Sequence, residues 1–127
     1  MKRDPRLQDL SREHHHALTL GKACERAAAG QEPAAIRAAS ARVVQEMASE
    51  LAPHFACEER DWLPRLHDPA AQMLIQRTLA DHRRLHALLP AIQAEDARAL
   101  AEFGQLLARH VRFEEKELFP ALERALG

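Results

Sequence analysis

Three pairs of residues suited to hold a metal share one spacing in this chain: His54 with Glu58, His82 with His86, and His110 with Glu114 each stand four positions apart, and His14 precedes them. Four residues of α-helix turn about 400° and rise about 6 Å, so both members of each pair project from one face, one turn apart. Such faces, carried on separate helices, can converge on a metal. Apolar residues agree with helix: Leu7, Leu10, Ala17 and Leu18 recur at three- and four-residue steps about His14, and strand-like alternation is absent. His14 therefore falls on a buried stripe.

Composition points the same way. Hydrophobic residues make up 46% of the chain, Ala is abundant and only four Gly are present, which favours helix over sheet. At 127 residues the chain is expected to form one domain over 1–127, and a chain of this size buries roughly two thirds of the surface its unfolded form exposes. Eighteen basic and nineteen acidic residues leave a net charge of −1, and no basic run or aromatic-interleaved basic patch marks a nucleic-acid partner. No apolar run reaches the ~18 residues of a membrane span, and the charged start, Met1 to Arg12, is followed by no apolar leader segment. Cys24 and Cys57 lie far apart without CxxC spacing, so neither a disulfide framework nor a thiolate zinc site is indicated, and a reducing cytoplasm is the expected location. Cys57, inside the His54 to Glu58 turn, is read as a small flanking core residue rather than a ligand.

Prolines divide the chain into helical stretches. Pro5 suits the first turn of a helix running to about Ala29, before Gly30; Pro33 opens a second, which carries His54 and Glu58 to about Trp62. Pro64 and Pro69 bracket a break, a third stretch from about Ala70 to Gln93 carries His82 and His86, and Asp96 caps a fourth from about Ala97 into the last residues. Pro53 and Pro90 fall inside predicted helices and are expected to kink them. Short connections between four helices predict an all-α, up-down-up-down antiparallel four-helix bundle.

The second and fourth stretches repeat. His54, Glu58, Glu59 and Pro64 align with His110, Glu114, Glu115 and Pro120, while Glu13-His14 and Asp81-His82 relate the first and third more weakly. Two helix hairpins, each contributing half a site, are the natural inference. Bringing His14, His54, His82, His86 and His110 into one core with Glu58 and Glu114 would leave many polar atoms without partners unless a cation coordinated them. Imidazole mixed with carboxylate suits iron, manganese or zinc, and seven such side chains exceed the four ligands of a structural zinc site, which implies two metals. If both carboxylates bridge the ions together with an oxide or hydroxide, about one of about twelve coordination positions stays open.

The ordered set of motifs, over about residues 7 to 123, resembles the hemerythrin family, including its bacterial HHE cation-binding domains. The resemblance implies a non-haem di-iron centre in which His14, His54, His82, His86 and His110 bind iron and Glu58 and Glu114 bridge, with zinc or manganese as substitutes. Oxygen-carrying hemerythrins place an aspartate five residues after the last histidine, where this chain has Glu115. Helical geometry and the internal repeat favour Glu114, and Glu115 is the alternative. His15 and His16 rotate away from the stripe and are read as surface or supporting residues, and His67 as a solvated loop residue. Glu50, one turn before His54, is a candidate partner for that ring, with Glu59, Asp61, Glu115 and Glu117 as further acids nearby.

By the same resemblance the chain would bind dioxygen or nitric oxide at an open iron position, for carrying, storage or sensing. The alternatives are a di-iron enzyme that consumes peroxide or repairs iron centres, and an iron-responsive metal-homeostasis protein. Repair relatives usually carry an extra cysteine-bearing N-terminal segment, and this sequence starts almost directly with its first predicted helix, so repair is disfavoured. The absence of Tyr rules out a tyrosyl ligand or radical.

Overall fold

Residues 3–127 are described by the computed structural model, and among them no strand occurs. Asp4 opens the chain's first turn: its side chain accepts from the Arg6 N–H at 2.9 Å, with Pro5 in the position where a missing donor costs nothing. The first rod is α1 (Gln8–Gly30), which ends on Gln31 in the left-handed conformation at φ 56°. Gly30 itself stays helical.

The second rod combines α2 (Pro33–Glu46) and α3 (Ala52–Cys57), joined by a π turn at Met47–Leu51 and continued by another at Glu58–Trp62. The third combines α4 (Gln72–Ala87) and α5 (Leu89–Gln93), separated at Leu88 just ahead of Pro90. Asp96 starts the fourth, accepting from the N–H groups of Arg98 and Ala99 at 2.8 and 3.1 Å. That rod is α6 (Ala97–Phe113), a π turn at Glu114–Leu118, and α7 (Phe119–Leu126). The kink predicted at Pro53 thus takes the form of a widened turn, and the one at Pro90 a short break.

Cross-rod pairs establish the antiparallel order. Arg3 and Ser11 meet Glu123 and Glu115, so moving up the first rod means moving down the fourth. Glu13 and His16 meet His54 and Glu46 in the same opposed sense. Asp81 meets His110 while Arg84 meets Glu102. The first and fourth rods approach so closely at Gly21 and Gly104 that a Cβ on Gly104 would lie 2.6 Å from the Gly21 carbonyl oxygen. Glycine is required there by space alone, because both residues are helical.

Two apolar clusters fill the bundle. The larger includes Leu20, Val43, Leu85, Ile92, Phe103 and Leu107; the smaller, toward the chain ends, includes Leu7, Leu10, Leu63, Leu66, Leu118 and Phe119. Between them lies a buried polar layer of His14, His54, Glu58, His82, His110 and Glu114. A polar layer in this position costs free energy unless its atoms are satisfied.

Candidate metal centre

Each rod brings one histidine to the polar layer, and the second and fourth add a glutamate. His14, His54, Glu58 and Glu114 form one group whose ligand atoms lie within 4.8 Å of one another, and Glu58, His82, His110 and Glu114 form a second. Both carboxylates therefore serve both groups. Glu58 turns Oε2 toward His54 Nε2 at 3.2 Å and Oε1 toward His82 Nε2 at 3.1 Å. Glu114 turns Oε1 toward His14 Nε2 at 2.7 Å and Oε2 toward His110 Nε2 at 3.2 Å.

The outward nitrogens form a closed ring of acids. Glu13 on the first rod meets His54 Nδ1 on the second at 3.2 Å, and Glu59 on the second meets His82 Nδ1 on the third at 2.7 Å. Asp81 on the third meets His110 Nδ1 on the fourth at 2.9 Å, and Glu115 on the fourth returns to His14 Nδ1 at 2.6 Å. An acid on Nδ1 holds the proton there and leaves Nε2 as a lone-pair donor, which is the arrangement ligating histidines need.

The donor set fits a metal on its own evidence. Glu58 Oε1, His82 Nε2, His110 Nε2 and Glu114 Oε2 are buried and have no hydrogen-bond partner, although they face one another. Buried polar atoms are rarely left so. A cation between them would satisfy all four, and nitrogen mixed with carboxylate oxygen suits borderline transition metals.

The family model of the hemerythrin HHE cation-binding domain matches residues 6–122. The chain belongs to that family. No curated protein and no solved structure matches it. Family membership carries cation binding to a chain whose buried histidines and glutamates form groups able to hold one.

Not every residue expected of the family's site is in this one. His86 is exposed and belongs to neither group. The inward stripe of α4 runs Thr78, His82, Leu85, so after His82 it advances by three residues and carries His86 round to solvent. Phe55 stacks on His82 with ring centroids 4.1 Å apart and meets His86 edge-on at 6.1 Å. Glu114, not Glu115, joins the two groups, while Glu115 supports His14 from outside.

Glu50 is exposed, and the acid that reaches His54 is Glu13. Asp61 pairs with Arg60 instead. His15, His16 and His67 are exposed, with His16 paired to Glu46. Cys57 is half-exposed at the rod's edge rather than in the core. Sequence reasoning missed the ring as a whole, though it left a signal: an acid directly before His14 and His82, and a second acid directly after Glu58 and Glu114.

Protons balance the charges when no ion is bound. Burial disfavours charged imidazoles, yet hydrogen bonds and attraction from Glu114 and Glu58 prevail and push His54 up to about 11. His110 is raised to about 10 against the same burial, by Glu114, Asp81 and Glu58, and His14 is raised as well. Burial and the Glu114 charge push Glu58 upward, whereas the imidazoles overcome burial to hold Glu114 well below the usual carboxylate range. A cation entering this layer replaces protons.

A cavity of about 40 Å³ touches the layer at His14, His54, His110 and Glu114 and extends to Glu13 and Glu50 at the surface. Its floor is apolar, formed by Ala17, Leu51, Leu107 and Val111. His82 is not among the residues lining the cavity, and Phe55 stacks on that ring.

Proposed function

We propose that the protein binds a pair of iron ions between His14, His54, Glu58, His82, His110 and Glu114, and takes up a small diatomic ligand, dioxygen or nitric oxide, beside them. The observation that carries this reading is the set of four unpartnered buried donor atoms facing one another across two shared carboxylates. The cavity supports it further, since its volume suits a molecule of two heavy atoms and its apolar floor gives such a molecule no competing hydrogen bonds. When bound, an iron pair would supply redox electrons and the coordination position such a ligand needs. The residues contribute orientation through the Nδ1 acids, exclusion of bulk water through the two apolar clusters, and exchangeable protons on the imidazoles.

One observation favours a second reading, the consumption of peroxide. With His86 turned to solvent, each group offers four protein donors to its ion, so both ions would keep open positions out of about six. A substrate with two oxygen atoms could then engage both. Metal analysis after anaerobic iron loading, followed by optical titration with oxygen, nitric oxide and peroxide, tests both readings. Two iron equivalents with an absorption change that reverses on deoxygenation is the expected result. Steady peroxide turnover without loss of iron would replace uptake by catalysis, and loading below two equivalents would end both.

A further inference from the structure

Among the described residues three π turns interrupt the rods, and each begins six residues before a proline: Met47 before Pro53, Glu58 before Pro64, and Glu114 before Pro120. In every case the residue just ahead of the proline donates its N–H five positions back, from Ala52 to the Met47 carbonyl, Leu63 to Glu58 and Phe119 to Glu114. The cause is steric. In an α-turn the proline ring would collide with the carbonyl four residues back, and a π turn opens that gap. Pro90 meets the same conflict differently, with a helix break at Leu88 and Pro90 in the first turn of α5. An internal proline therefore need not produce a π turn, yet two of the three start on the glutamates shared by both metal groups.

A π turn shifts the helical register by one residue, and this shift falls at the site. On the fourth rod the inward stripe runs through Phe103, Leu107, His110 and Glu114, then widens to Leu118 and Phe119, four and five positions on, and the Phe119 ring stacks on His14 at 5.1 Å. On the second rod His54 and Glu58 are followed, again five on, by buried Leu63. Within each turn one acid faces the layer and its neighbour reaches the next rod: Glu59 to His82, Glu115 to His14.

We propose that Pro64 and Pro120 are positioning residues for the ion pair. Resting on the metal reading above, this assigns each proline the task of holding open the turn that starts on a bridging carboxylate. The turn aims that carboxylate, its neighbouring acid and the apolar residue beneath the site from one stretch of helix.

Cobalt(II) is a suitable probe because its visible spectrum reports ligand geometry. Pro64→Ala and Pro120→Ala are expected to stay helical by circular dichroism, to bind cobalt about tenfold more weakly or worse, and to show altered visible bands; Pro90→Ala is expected to match the wild type. Deleting exposed Lys116 in the Pro120→Ala background removes the extra residue of the turn and is expected to recover binding, which a general loss of stability would not do. Two equivalents bound by both alanine variants with wild-type affinity and spectrum would overturn the proposal. So would Phe119 still donating to the Glu114 carbonyl in Pro120→Ala, read by amide exchange and NMR. If Pro120→Ala fails to fold, the Pro64→Ala binding and spectrum decide by the same criteria. A wild type that takes up fewer than two equivalents overturns the metal reading and this proposal with it, a failure distinguished by appearing before any substitution.

Discussion

The His14 and His54 side of the polar layer and the His82 and His110 side have the same donors, share both carboxylates and carry a carboxylate on each Nδ1. Their surroundings differ. The first borders a cavity of about 40 Å³ and already closes hydrogen bonds between imidazole and carboxylate at 2.7 and 3.2 Å. The second meets that cavity only through His110, and Phe55 stacks on His82 at 4.1 Å and lies edge-on to His110 at 5.9 Å. Arg77 lies 4.4 Å over Phe113 near the same side. In the second half the imidazole and carboxylate atoms stand 3.1 and 3.2 Å apart without hydrogen-bond alignment. Like donor sets thus border the cavity unequally: His14, His54 and His110 line it and His82, under Phe55, does not.

The largest expected effect would break both halves at once. Glu114→Ala removes one of the two buried carboxylates shared between them, and metal analysis should find loading of both ions lost. Glu115→Ala, which removes only support for His14, should weaken binding by about 10–100-fold instead.

Separating the halves comes next. His82→Ala should leave one equivalent at His14 and His54, and His86→Ala should leave both, read as bound metal per chain. Loss of metal in His86→Ala would show that the exposed ring reaches the site in solution.

A pH titration then sharpens the comparison. In the metal-free protein His54 and His110 are raised to about 11 and about 10, so both carry a proton near neutrality. An ion must displace these protons, and affinity should therefore fall as pH falls, by about a decade per unit for each proton released. Calorimetry in buffers of different ionisation enthalpy measures that number. Affinity unchanged between pH 6 and 8 would contradict it.

Phe55→Ala should make the halves more alike by uncovering His82, at a cost of about 3–5 kcal/mol in urea unfolding. The smallest effect belongs to a site remote from both: Asp96→Ala removes the cap of α6 and should cost about 1 kcal/mol with metal loading unchanged.

Much of this was legible from residues close in the chain. Helical spacing placed His14, His54, Glu58, His82, His110 and Glu114 on inward stripes, and Pro33 and Asp96 marked helix starts where the structure has them. Local periodicity carries that information because an α-helix converts sequence separation into direction. His86 shows where that information stops: a four-residue interval puts two side chains near one face, but whether the stripe advances by three or four depends on what the helix packs against. Here Leu85 faces inward and His86 does not.

The sequence alone determined the helical class, the four stretches and the donor types, all properties of segments a few turns long. Tertiary structure decided the ring of acids, each of which crosses to the next rod, together with the Gly21 and Gly104 contact and the placing of the cavity beside His14, His54 and His110. Those features depend on distances between residues as far apart as His14 and Glu115. Such distances come into being only when rods pack, because packing selects among the many ways in which equally amphipathic helices could have met.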